Sequence, residues 1–167
     1  MLTPAPAVPA LERLASFDNE MYSTAPNAVR FRKARERLGI SPAEAAALMG
    51  ISLPSVWDIE CYDDELTIYS ANDIQKFCKA LNISPRGLFG IESLAAPLNA
   101  TDLVALILEH CRLHDLTIEQ FEDISGWNLI KSIDDPERFL HSDYSIDGIQ
   151  EICHALEIDW QRFILGL

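Results

Sequence analysis

Residues Arg35 to Glu60 read RERLGISPAEAAALMGISLPSVWDIE. Ser41-Pro42-Ala43-Glu44 predicts a helix start. Ser41 can accept from an amide three residues on, Pro42 fits a first-turn position that needs no N–H, and Glu44 can complete the reciprocal cap. Gly50 suits the left-handed end of that helix. A further helix then starts near Ser52 and carries Val56, Trp57 and Ile59. Two short helices across a glycine turn are the pattern of a helix-turn-helix. The same stretch holds no Lys or Arg after Arg37.

Working outward, a preceding helix spans about Ala28 to Leu38 and stops at Gly39, with Phe31, Ala34 and Leu38 on one face. A fourth helix opens at Ser70, has Asp73 at the matching cap position, and buries Ile74, Phe77, Cys78 and Leu81. A short fifth helix follows Ser84-Pro85 and closes with Leu88-Phe89. Residues 1–27 are proline-rich and read as an N-terminal arm, in which Ala10 to Tyr22 forms either a short helix or a mobile segment.

The second half repeats this plan. A shift of 76 puts Ile40-Ser41 on Leu116-Thr117 and Gly50 on Gly126. A shift of 75 puts Ile74-Gln75 on Ile149-Gln150, and Cys78-Lys79-Ala80-Leu81 on Cys153-His154-Ala155-Leu156. Thr117 with Gln120, Ser145 and Asp159 are the expected helix starts. The reading is an all-α chain of two tandem five-helix units, 28–90 and 98–167, joined by a linker of about Ile91 to Ala100.

The formal net charge is -13 and the pI about 4.5, so the chain as a whole repels polyanions. The charge is uneven. Residues 28–90 hold eight basic and eight acidic side chains, and 98–167 hold four against fourteen. Five of the basics, Arg30, Arg32, Lys33, Arg35 and Arg37, crowd into the first helix. No run approaches the roughly 18 apolar residues of a membrane span. The N-terminus lacks the basic start and continuous apolar run of a signal peptide, so the expectation is a cytoplasmic protein. Cys61, Cys78, Cys111 and Cys153 form no CxxC pair and read as buried thiols.

The stretch from Val29 to Phe89 resembles the XRE-type family, the lambda and P22 repressor-like helix-turn-helix domains. The resemblance rests on Arg35, Leu38-Gly39-Ile40-Ser41, Ala46, Gly50-Ile51-Ser52, Ile59-Glu60 and Leu81-Asn82-Ile83. Leu103 to Leu167 is similar only weakly, with Asp134, Asp135 and Pro136 where a groove-reading helix would end. In that family the start of the third helix faces DNA bases. The resemblance therefore implies Ser52, Leu53, Ser55 and Trp57 as base-facing residues, with Asp58 beside them. Pro42 stands where members commonly carry Gln, and the loop after Glu60 is acidic where members often carry a basic residue.

Phosphate contacts would come from Arg30, Arg32, Lys33, Arg35 and Arg37, and from the helix N-terminus at Ser41. The alternative for the first helix is a solvated basic face. The first functional expectation is a DNA-binding transcriptional regulator acting as a homodimer, its second unit mediating dimerisation or partner binding. The alternative is an acidic protein-interaction module, of antitoxin, immunity, anti-repressor or DNA-mimic type, with a basic protein partner. His110 and His114 have a spacing that can hold zinc, but no further ligand-spaced motif joins them, so no metal is expected. No phosphate loop or nucleophile elbow is present, and neither an enzyme nor a cofactor is expected.

Overall fold

A computed structural model of the protein describes residues 22–167. Its first half comprises α1 (Pro26–Arg37), α2 (Pro42–Met49), α3 (Leu53–Cys61), a 3-10 turn (Glu65–Ile68), α4 (Ala71–Leu81) and α5 (Pro85–Phe89). The second half comprises α6 (Ala100–Leu113), α7 (Ile118–Ser125), α8 (Ile130–Asp134), α9 (Pro136–Arg138) running into a π turn (Phe139–Asp143), α10 (Ile146–Ala155) and α11 (Gln161–Leu165). The described residues are all-helical. The segment Ala10 to Tyr22, read as either a short helix or a mobile arm, lies outside them, Tyr22 excepted.

The predicted caps account for the helix boundaries. Ser41 and Thr117 each accept from the amide three residues on, and Glu44 and Gln120 return the bond to the cap amide. Both helices end on a left-handed glycine, Gly50 at φ 71° and Gly126 at φ 77°. Ser52, Ser70, Ser84 and Ser145 cap α3, α4, α5 and α10 by the hydroxyl-to-amide bond alone. One start differs. The final helix has Trp160 at its cap position, and Asp159 accepts from the Gln161 amide at 3.0 Å, one residue out of the expected register.

The halves differ most at the third helix. In α3, nine residues run unbroken to Cys61. Its counterpart α8 stops after five, because Asp135 adopts φ -144° ahead of Pro136, whose ring disfavours helical backbone in the residue before it.

The halves pack against one another reciprocally. An isolated antiparallel bridge pairs Ser70 with Ser145, each the repeat of the other. The amide of Ile146 donates to the Tyr69 carbonyl at 2.9 Å. α4 packs on the π turn 139–143, the 3-10 turn 65–68 packs on α10, and α5 packs on α11. The Ser70–Ser145 bridge and these three element contacts exchange with a mate, or map onto themselves, when the repeats are swapped. That is the signature of a two-fold, isologous interface, built here inside one chain. Asn72 adds a bond to the Ser142 hydroxyl at 2.7 Å, and Gln75 one to the Leu167 carbonyl at 3.1 Å.

The buried apolar residues form one connected cluster through both halves, from Phe31 to Ile164. The linker is stitched down within it. Leu98 is buried, its amide bonds the Arg162 carbonyl at 2.8 Å, and Arg162 Nε bonds the Ala96 carbonyl at 2.9 Å. The equivalent Cys78 and Cys153 are buried as the sequence suggests, and burial pushes both thiols up to about 12.

Trp127 roofs the start of α10. Its indole N–H donates to Glu151 at 2.5 Å and its ring tilts against Tyr144 at 5.4 Å. A Cβ on Gly148 would lie 2.9 Å from that indole. Gly148→Ala is therefore expected to displace Trp127. Overpacking costs about 1–3 kcal/mol, more than the gain of about 1 kcal/mol in helix propensity. A lower urea midpoint with a changed Trp emission maximum is the expected result. An unchanged emission spectrum would show that the indole does not sit on Gly148.

Candidate nucleic-acid interface

The surface to be judged is the start of α3 with the basic side of α1. Ser52 is exposed and its Oγ accepts from the Ser55 amide at 3.2 Å. Leu53 is 40% exposed, and Pro54 and Asp58 lie open beside it. Ser55 is half-buried, with its hydroxyl 2.8 Å from that of Ser52. It also bonds the Tyr69 hydroxyl, which burial pushes up against the pull of that bond. Trp57 is half-buried and stacks on Tyr22 with ring centroids 6.0 Å apart. Of the four expected base-facing residues, Ser52 and Leu53 are exposed and Ser55 and Trp57 half-buried, and Ser52, Ser55 and Trp57 each have a partner within the fold.

Four of the five cations of α1 also have partners within the fold. Arg35 is 6% exposed, and its guanidinium grips Glu60 at both carboxylate oxygens, at 2.5 and 2.8 Å. A third bond reaches the Ile40 carbonyl at 3.0 Å. The bond to Glu60 raises the Arg35 pKa further, against the opposing effect of burial. Arg37 donates to the Leu81 and Asn82 carbonyls at 3.4 and 2.8 Å, and so caps the end of α4. Arg32 pairs with Glu36 at 3.7 Å and lies 4.3 Å from the centre of the Tyr22 ring. Arg30 bonds Asn27 at 3.1 Å and covers Gly90, where a Cβ would meet its guanidinium. Lys33 is exposed and bonds no described residue.

Arg35 is therefore withdrawn from the expected phosphate contacts, because its charge is buried and neutralised. Arg37 is bound across the fold to two carbonyls. Ser41 offers little more. Its hydroxyl and amide both bond Glu44 at 2.7 Å, and Pro42 supplies no N–H. Those two bonds, the amide's first, hold the Glu44 carboxyl below its usual range. A carboxylate thus already occupies this helix start, where an anion would sit.

The second half closes its own helix start in another way. Glu122 Oε1 accepts from the Leu129 and Ile130 amides at 2.5 and 2.9 Å. The place where α8 could hold a phosphate is taken by the chain's own carboxylate. Beside α3, the exposed Tyr62-Asp63-Asp64 loop carries two acids, and Asp63 accepts from the Ser23 hydroxyl.

Three features of this region escape a reading along the sequence: the Arg35–Glu60 pair, the Arg32–Tyr22–Trp57 stack and the Glu122 cap. One trace of the first is visible. Arg35 follows Ala34 on the apolar side of its helix, and Glu60 follows Ile59, so one base and one acid each interrupt a buried face. His110 of α6 and His114, which caps its end, lie tilted against each other at 4.3 Å, with His110 edge-on to Phe121. Among the described residues no three His, Cys, Asp or Glu side chains converge as a metal site.

No protein-family model matches the chain, and neither a curated protein nor a solved structure matches it.

Proposed function

We propose that this chain is an acidic protein-interaction module that retains a helix-turn-helix frame, α2–Gly50–α3, without a DNA-gripping surface. The observation that carries this reading is the internal use of the α1 cations. Of five, only Lys33 bonds no described residue. Affinity for DNA is dominated by phosphate neutralisation; here Arg35 is neutralised by Glu60, Arg32 faces Glu36, and Arg30 and Arg37 keep their charge but are held on Asn27 and on the Leu81 and Asn82 carbonyls. Against it stand a formal charge of -13 and the acidic loop beside α3.

The partner in this reading is a basic protein surface. A strongly acidic second half accelerates encounter with such a partner and selects against anionic ones. Antitoxin, immunity, anti-repressor and DNA-mimic roles all share this chemistry. The expected homodimer gives way to a monomer, because the internal pairing supplies the two-fold that a single unit would seek from a second copy.

The test is a pair of titrations at low and moderate ionic strength, one with duplex DNA and one with poly-lysine, together with light scattering. Salt-sensitive binding of poly-lysine, none of duplex DNA, and a mass of 18.7 kDa are expected. A salt-sensitive shift of duplex DNA, weakened by replacing Lys33 or Leu53, would sink this reading in favour of a DNA-binding regulator.

A further inference from the structure

The repeat sets two surfaces in correspondence. Leu48 and Ile124 occupy the same position of α2 and α7, and both point outward, 61% and 59% exposed. The residues around them have diverged in charge. The first half has Ala47, Lys76, Lys79 and Asn82; the second has Asp123, Glu151, His154 and Glu157 at the matching positions. Lys76 is in part offset by Asp73 at 3.1 Å. An exposed aliphatic is thus present in both halves, framed by lysines in one and by three carboxylates in the other.

In the second half this surface is concave. Asp123, Ile124, Glu151, His154, Ala155 and Glu157 line an open cleft of about 680 Å³ between the end of α7 and α10. The cleft is open rather than enclosed, which suits the side chains of a partner surface over a buried small ligand. One wall is fixed in place, since Glu151 is held by the Trp127 indole at 2.5 Å.

We propose that this cleft is the docking site for a cationic amphipathic helix of another protein. An aliphatic side chain of that helix seats on Ile124 and Ala155, and its Lys or Arg groups meet Asp123, Glu151 and Glu157. The inference rests on the reading that the partner is basic, and it adds where the partner lands. Charge complementarity selects this cleft over its first-half counterpart, where Lys76 and Lys79 repel the same ligand.

The probe is a fluorescein-labelled helical peptide of Leu and Lys, compared with its Leu/Glu counterpart, titrated by anisotropy into the full chain. The Leu/Lys peptide is expected to bind in a salt-sensitive manner and the Leu/Glu peptide not to bind. Ile124→Ser, and the pair Asp123→Lys with Glu157→Lys, are expected to weaken binding by about tenfold or more. The corresponding Leu48→Ser is expected to change it by less than about twofold. All these positions are exposed, so circular dichroism should be unchanged. If the peptide binds but the cleft variants bind equally well, the cleft is the wrong site and the basic-partner reading survives. If no Leu/Lys peptide binds at low salt, both readings fall. Concentration-dependent self-association that Leu48→Ser abolishes would make a second copy the occupant and overturn the proposal.

Discussion

Glu60→Ala is expected to destabilise the protein by about 3–5 kcal/mol, because it strands the Arg35 guanidinium without a counter-charge in the core. Glu60 is 0% exposed and Arg35 6%. The pair is bidentate at 2.5 and 2.8 Å, the geometry in which an arginine–carboxylate contact is strongest. Total stabilities of about 5–15 kcal/mol are usual, so the loss is a large share of the whole. The pair joins α1 to the end of α3, and the Glu60 carbonyl also accepts from Ser23 at 2.9 Å. Glu60→Gln keeps the shape and an acceptor, and should cost less than the alanine.

The double replacement Arg35→Met with Glu60→Leu removes both charges, and is expected to lie well above either single variant in stability. Urea midpoints of the four proteins decide the matter. If Glu60→Ala shifts stability by under about 0.5 kcal/mol, the pair is hydrated and Arg35 returns to the pool of surface cations. That outcome would also weaken the argument against DNA.

Phe77→Ala is expected to cost about 3–5 kcal/mol and to lower the midpoint of both halves together. Phe77 is fully buried and meets Tyr69 edge-on at 4.9 Å. It lies on α4, which packs on the second half's π turn, while the Tyr69 carbonyl holds the amide of Ile146. A cavity here loosens the first half's core and the shared interface at once. Fluorine-labelled tryptophan separates the two responses, with Trp57 reporting the first half and Trp127 the second. Coincident transitions before and after the substitution are expected, as for one cooperative unit. An earlier loss of the Trp57 signal alone would show two units that merely touch.

Much of the secondary structure was legible in the chain because its signals are local. A serine or threonine hydroxyl reaches an amide three residues on, and a glycine takes a left-handed turn, without help from the rest of the fold. Ser41, Gly50, Ser70, Thr117, Gly126 and Ser145 behave in this way. Trp160 at the start of α11 departs from the local rule. There the fold seats Trp160 edge-on to Phe89 at 5.9 Å, and Asp159 caps from one residue further away.

The candidate interface was less legible because a charged residue's role depends on what faces it. Five cations in one helix look alike along the chain. In three dimensions Arg35 faces Glu60, 25 residues away, and Arg37 faces Asn82, 45 residues away. Glu122 looks like any surface acid until the next turn brings the amides of Leu129 and Ile130 onto it. Separations of this kind leave no periodic trace.

The sequence by itself determined the all-helical class, most of the helix starts and the recurrence of one residue pattern in both halves, since each follows from contacts within a few residues or from the comparison of one half with the other. It also determined the gradient from a basic first helix to an acidic second half. Only the tertiary structure decided that the duplicated halves meet repeat to repeat at Ser70 and Ser145 over one core. It alone decided that Arg35 is buried against Glu60 and that Arg30, Arg32 and Arg37 are held by groups of the fold itself. Burial makes an unpaired charge costly, so the fold settles which charges are paired and which remain for a partner.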